Sequence, residues 1–156
     1  MMRKFYQWTL VVLAGVAFSS CSLIGGEGEP TANYKLSDLQ GLWQRNNSRE
    51  FFRFTEEESD EPGYLLGLEW DLDDDKTEQD RWDAREELGH PGNGWFKYQF
   101  ESKGDLHEIH LQDNQGAEEP KEYIVSKLTE TDLEYYEKGK KNWKFSFTRV
   151  VETKNE

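Results

Sequence analysis

The 156-residue chain has one cysteine, three histidines and four prolines, and beyond residue 24 it has only five isoleucines and valines. One cysteine excludes an intrachain disulfide and a cysteine-based metal cluster. Bases are also scarce, 19 against 32 acids, and the resulting charge of −13 argues against nucleic acid or an anionic lipid surface as the main partner. There is no glycine-rich phosphate loop, no ordered serine, histidine and acid set, and no dinucleotide fingerprint. No catalytic residue and no cofactor is therefore expected. The apolar supply is small as well. From Gly25 onward only 38 of 132 residues are apolar, and 18 of these are aromatic, which predicts a single domain with a small, ring-rich core.

The one long apolar run, residues 8–18, is too short to span a bilayer and follows the basic pair Arg3 and Lys4. Ser19 and Ser20 then lead into Cys21. This order looks like a bacterial lipoprotein signal, with Phe18 standing where leucine is usual. The resemblance implies a signal peptide over 1–20, lipidation of Cys21 and attachment to a membrane through its acyl chains, which anchor more firmly together than singly. Removal of Arg3 and Lys4 leaves 17 bases against 32 acids, a mature charge of −15. The stretch 21–35 is dominated by glycine and by small or acidic residues, the composition of a flexible tether.

From Leu39 onward, short runs with period-two alternation are separated by turn residues. Trp143, Phe145, Phe147 and Arg149 share one face of the final run, and Tyr64, Leu66, Leu68, Trp70 and Leu72 share one face of an earlier one. Phe96, Tyr98 and Phe100 form another, as do His107, Ile109 and Leu111, and Leu133 with Tyr135. About eight strands follow, starting near residues 39, 50, 63, 94, 105, 121, 133 and 142. With no long helical segment to make parallel crossovers, they form an antiparallel meander. The expected fold is all-β, an up-and-down meander closing into a small barrel; a two-sheet sandwich is the rival. The domain should span 36–152, with a tail over 153–156. An acidic insert, 73–93, interrupts the strand spacing. Its only large apolar residues, Trp82 and Leu88, make no helical stripe, so it reads as an external loop with one or two helical turns.

Gly41-Leu42-Trp43 matches the G-x-W signature of lipocalin barrels, and Arg149 falls on the inward face of the last strand. In that family a last-strand arginine lies over the tryptophan and closes one end of the barrel. The segments Gly92-Asn93-Gly94-Trp95-Phe96-Lys97-Tyr98, Asp113-Asn114-Gln115-Gly116-Ala117-Glu118-Glu119-Pro120-Lys121, Leu128-Thr129-Glu130-Thr131-Asp132-Leu133-Glu134-Tyr135-Tyr136 and Phe145-Ser146-Phe147-Thr148-Arg149-Val150 resemble the lipocalin-like lipoproteins of Bacteroides-type bacteria. The resemblance extends over 36–151. It implies a lipidated barrel in the cell envelope with Gly41, Trp43 and Arg149 as the structural end; Ser22, next to Cys21, fits sorting to the outer membrane, facing either the periplasm or the cell surface.

Two functions fit these residues. The barrel could bind a small apolar or aromatic ligand, with Trp70, Trp82, Trp95 and Tyr98 as candidate ligand or partner contacts, since rings stack on flat molecules. Alternatively, a filled barrel could serve as a stage from which the acidic insert docks a basic protein of the envelope. His107 and His110, three apart on a strand, point to opposite faces and cannot share an ion. His90 sits in a turn. A calcium alternative through Asp71, Asp73 and Asp75 is weak, because an EF-hand frame from Asp71 puts Lys76 where glycine is needed and Trp82 where the bidentate glutamate is needed.

Overall fold

The computed structural model describes residues 32–152. The signal segment, Cys21, most of the tether and the tail lie outside the described residues. Eight strands follow in chain order: β1 (Gly41–Arg45), β2 (Glu50–Glu58), β3 (Leu65–Asp71), β4 (Trp95–Phe100), β5 (Asp105–His110), β6 (Lys121–Leu128), β7 (Asp132–Glu137) and β8 (Lys144–Arg149). Each pairs antiparallel with the next, and β8 returns to pair with β1, so the sheet closes into a barrel. The eight-stranded meander expected from the sequence is the observed architecture, and the sandwich is not. Closure removes the free strand edges that an open sheet would expose. A short helix, α1 (Leu36–Leu39), precedes β1; a 3-10 turn (Leu72–Asp74) and helix α2 (Glu78–Leu88) fill the connection between β3 and β4.

The barrel interior holds Trp43, Phe54, Phe96, Tyr98, Leu106, Tyr123, Val125, Leu133, Tyr135 and Phe147, with Leu39 of α1 plugged into one end. Several rings meet edge to face, as Phe54 does with Phe96 at 5.6 Å and with Tyr98 at 5.1 Å, an arrangement their quadrupoles favour. Gly67 of β3 also faces inward. A methyl group there would lie 2.4 Å from the Phe96 ring and 3.0 Å from the Arg53 carbonyl oxygen. The glycine is what lets the Phe96 ring lie across β3.

A second apolar cluster lies on the outer face of the sheet. Leu42, Leu66, Leu68, Trp70 and Trp95 are buried there, backed by Phe51, Leu72, Trp82, Leu111 and Val150. Leu66, Leu68 and Trp70 share one face, as their alternation implies, and that face is the outer one, while Leu65, Gly67 and Glu69 face in. On β5 the inward residues are Leu106, Glu108 and His110, and His107 and Ile109 share the other face. Trp143 lies before β8 and is 77% exposed, so it takes no part in the inward face of that strand.

The acidic insert is also more ordered than an external loop. Helix α2 has eleven residues, about three turns, and its start is a capping box: Thr77 Oγ1 accepts the Asp80 N–H at 3.2 Å while Asp80 accepts the Thr77 N–H at 2.6 Å. It ends at Gly89 in the left-handed conformation. Trp82 meets Trp95 edge to face at 4.8 Å, and Trp95 Nε1 donates to the Arg81 carbonyl at 3.1 Å. Arg85 lies 4.7 Å from the centre of the Trp95 ring and pairs with Glu57, while Arg53 bridges Glu78 and Glu152, each at 2.6 Å. Trp82→Ala is expected to cost about 2 kcal/mol, less than a fully buried ring would, and to release α2. A red-shifted Trp95 emission and lost amide protection confined to α2 would report it.

Candidate binding site

The two ends of the barrel differ. At one, Trp43 Nε1 donates to the Leu39 carbonyl at 2.7 Å, and the Arg149 guanidinium lies 4.1 Å from the Trp43 ring centre, a favourable seat for a cation on an aromatic face. Arg149 donates to the carbonyls of Gln40 and Glu130, each at 2.8 Å, and to that of Asp38. The register sets Trp43 directly opposite Arg149. Gly41 has a φ of +122°, and a methyl there would lie 2.6 Å from Arg149 Nη1, so both backbone and space require glycine. This end is shut.

The other end opens into a cavity of about 280 Å³ inside the barrel, lined by Arg45, Glu50, Phe52, Glu69, Glu108, His110, Glu118, Lys121, Tyr123, Tyr135, Phe145 and Phe147. Its rings form a continuous wall: Tyr135 stacks on Phe147 at 5.1 Å and meets Tyr123 at 5.1 Å and Phe145 at 5.6 Å. Burial pushes the hydroxyls of Tyr123 and Tyr135 above the ordinary tyrosine range. Larger clefts, of about 460 Å³ beside the end of α2, about 530 Å³ by the β2–β3 turn and about 520 Å³ on the surface against Arg149, lie elsewhere. None holds a fully buried charge, whereas the barrel mouth does.

That charge is Glu108, 2% exposed and the one buried charged residue among those described. His110 stands between two carboxylates, its Nε2 3.3 Å from Glu108 Oε2 and its Nδ1 3.4 Å from Glu69 Oε1. Both ring nitrogens face acceptors, which only the doubly protonated imidazolium can satisfy. Burial opposes the charge, but Glu108 and Glu69 outweigh it and raise the imidazole to about 10. Burial likewise pushes the Glu108 carboxyl up, against the pull of His110. Arg45 pairs with Glu50 at 2.6 Å and lies 5.0 Å from the centre of Phe145 at the rim.

The candidate contacts read from the sequence sit elsewhere. Trp70 stacks on Phe51 at 5.4 Å on the outer face, Trp82 and Trp95 form the seam under α2, and Tyr98 donates to the Thr55 carbonyl at 2.6 Å away from the mouth. Asp71 caps the 3-10 turn by accepting from the Asp73 N–H at 2.8 Å, Asp73 lies 3.3 Å from Arg49, and Asp75 takes a left-handed conformation at the end of that turn. Among the described residues no group of three or more carboxylates, imidazoles or thiols is arranged to hold a metal ion. Comparison with known proteins gave no match to any family model, curated protein or solved structure.

Proposed function

We propose that this chain is a lipid-anchored, lipocalin-like protein of the bacterial cell envelope that binds one small aromatic molecule in the mouth of its barrel, without catalysis. The observation that carries this reading is the asymmetry of the barrel. Trp43 and Arg149 close one end, and the other opens into a ring-lined cavity. A volume of about 280 Å³ lies just under the range, from about 300 Å³, of pockets for drug-sized ligands, so the occupant should have one or two rings. Native mass spectrometry of the full-length protein purified from its own cells should show a small-molecule adduct that Phe52→Trp, which narrows the mouth, removes. An adduct-free protein that also fails to bind any member of an aromatic panel would overturn the reading.

Anchoring rests on the order of basic pair, short apolar run, small residues and Cys21. Cys21→Ala should move the protein from the membrane fraction to the soluble envelope fraction, and retention in the membrane would count against it. A second reading is favoured by the sidedness of α2, which turns Arg81 and Arg85 toward the sheet and exposes Asp83, Glu86 and Glu87. That acidic face suits a basic envelope partner. Neutralising these three residues, without deleting the helix that covers Trp95, should abolish partner recovery in a pull-down if docking is the role.

A further inference from the structure

We propose that the ligand of the barrel mouth carries an ammonium or similar cationic N–H group, received by Glu108 Oε1 while the aromatic part lies against Tyr123, Tyr135 and Phe145. This rests on the pocket reading above and names the chemical class of its occupant. Glu108 Oε1 is buried and has no hydrogen-bond partner among the described residues, although its twin Oε2 is held by His110. A buried carboxylate oxygen left unpaired is costly, so such groups are ordinarily matched by a donor. The nearby cations do not supply one. His110 is committed to Glu69 and to the other oxygen of Glu108, Arg45 to Glu50, and Lys121, directly across from Glu108 in the β5–β6 register, lies 3.4 Å from Glu118. One imidazolium between two carboxylates leaves the cluster one positive charge short. The rings alongside present electron-rich faces on which an organic cation is stabilised once desolvated.

The experiment is titration of the full-length protein in detergent with three probes of one shape: 2-phenylethylamine, 2-phenylethanol and 3-phenylpropionate, followed by calorimetry and by NMR shifts of Tyr123 and Tyr135. The amine should bind at least tenfold more tightly than the alcohol, with the carboxylate weakest, and Glu108→Gln should erase the preference for the amine while sparing the alcohol. In the unsubstituted protein the Glu108 side-chain carboxyl resonance should shift with the amine and not with the alcohol, which keeps the test valid should Glu108→Gln fold poorly. An alcohol or carboxylate that binds the mouth as tightly as the amine overturns the cation assignment and leaves the pocket reading standing. Failure of all three probes overturns the assignment as well, and the adduct experiment then decides the pocket reading separately.

Discussion

Trp43→Ala is expected to lower the unfolding free energy by about 3–5 kcal/mol, the range for deleting a fully buried large ring. The side chain is completely buried, and its loss removes three things together. The first is ring surface packed among Leu39 and the interior cluster. The second is the indole donor to the Leu39 carbonyl at 2.7 Å, which fixes α1 as the plug. The third is the platform beneath Arg149. The guanidinium has carbonyl partners and, among the described residues, no paired carboxylate, and burial already pulls its pKa below the ordinary value. Without the indole, its face is left against a void. Chemical denaturation should show the lower midpoint. Trp43→Phe separates the contributions, since it keeps a ring under the cation but loses the donor; it should cost clearly less than alanine. If alanine and phenylalanine cost the same, the ring platform contributes nothing measurable.

This closed end was legible in the sequence because the residues that build it are close together or in simple phase. Gly41 and Trp43 are two apart, and Arg149 follows Phe145 and Phe147 at the same parity. Strand number was legible for the same reason: turn clusters bracket the runs. The open end was not. An alternation rule assigns the apolar face of each strand to the interior, and on β3 and β5 that rule points the wrong way. Leu66, Leu68 and Trp70 are apolar because an outer cluster that includes Trp82 of α2 buries them, while Glu69, Glu108 and His110 are polar and inward because they line a mouth. Two apolar faces on one sheet make parity ambiguous. A usable signal was present in the insert. Thr77-Glu78-Gln79-Asp80 followed by Gly89 reads as a capped helix of eleven residues, and Trp82 in its middle needs a surface to cover. A helix lying on the sheet implies an apolar outer face beneath it, and that in turn reverses the assignment for β3. Trp95, out of phase with Phe96 and Tyr98, belonged to the same face.

Stability should fall as the pH rises from about 7 toward 10, by an amount on the order of 4 kcal/mol assignable to His110. Its folded pKa is raised to about 10, against an ordinary value near 6.5. A raised pKa means that the folded state holds the proton more tightly than the unfolded chain does. The stabilisation is therefore complete below about pH 6.5 and is lost progressively as the pH climbs through the folded value of about 10. Glu108 adds the same sign at lower pH, because burial raises its pKa and its carboxylate form is disfavoured in the fold. The surface carboxylates oppose this on the acid side. Arg85 holds Glu57 below its ordinary value, Lys97 does so for Asp60, and Arg53 for Glu152, so their contribution is present above the unfolded carboxyl range and disappears as the pH falls below it. A stability maximum between roughly pH 5 and 7 follows. Urea midpoints measured from pH 5 to 10 would trace it, and His110→Gln isolates the cause, since it keeps a donor near Glu108 but cannot titrate. The wild-type curve should descend steeply between about pH 7 and 10, and the variant curve should be much shallower over that range. Parallel descent of the two curves would show that the decline arises outside the barrel mouth.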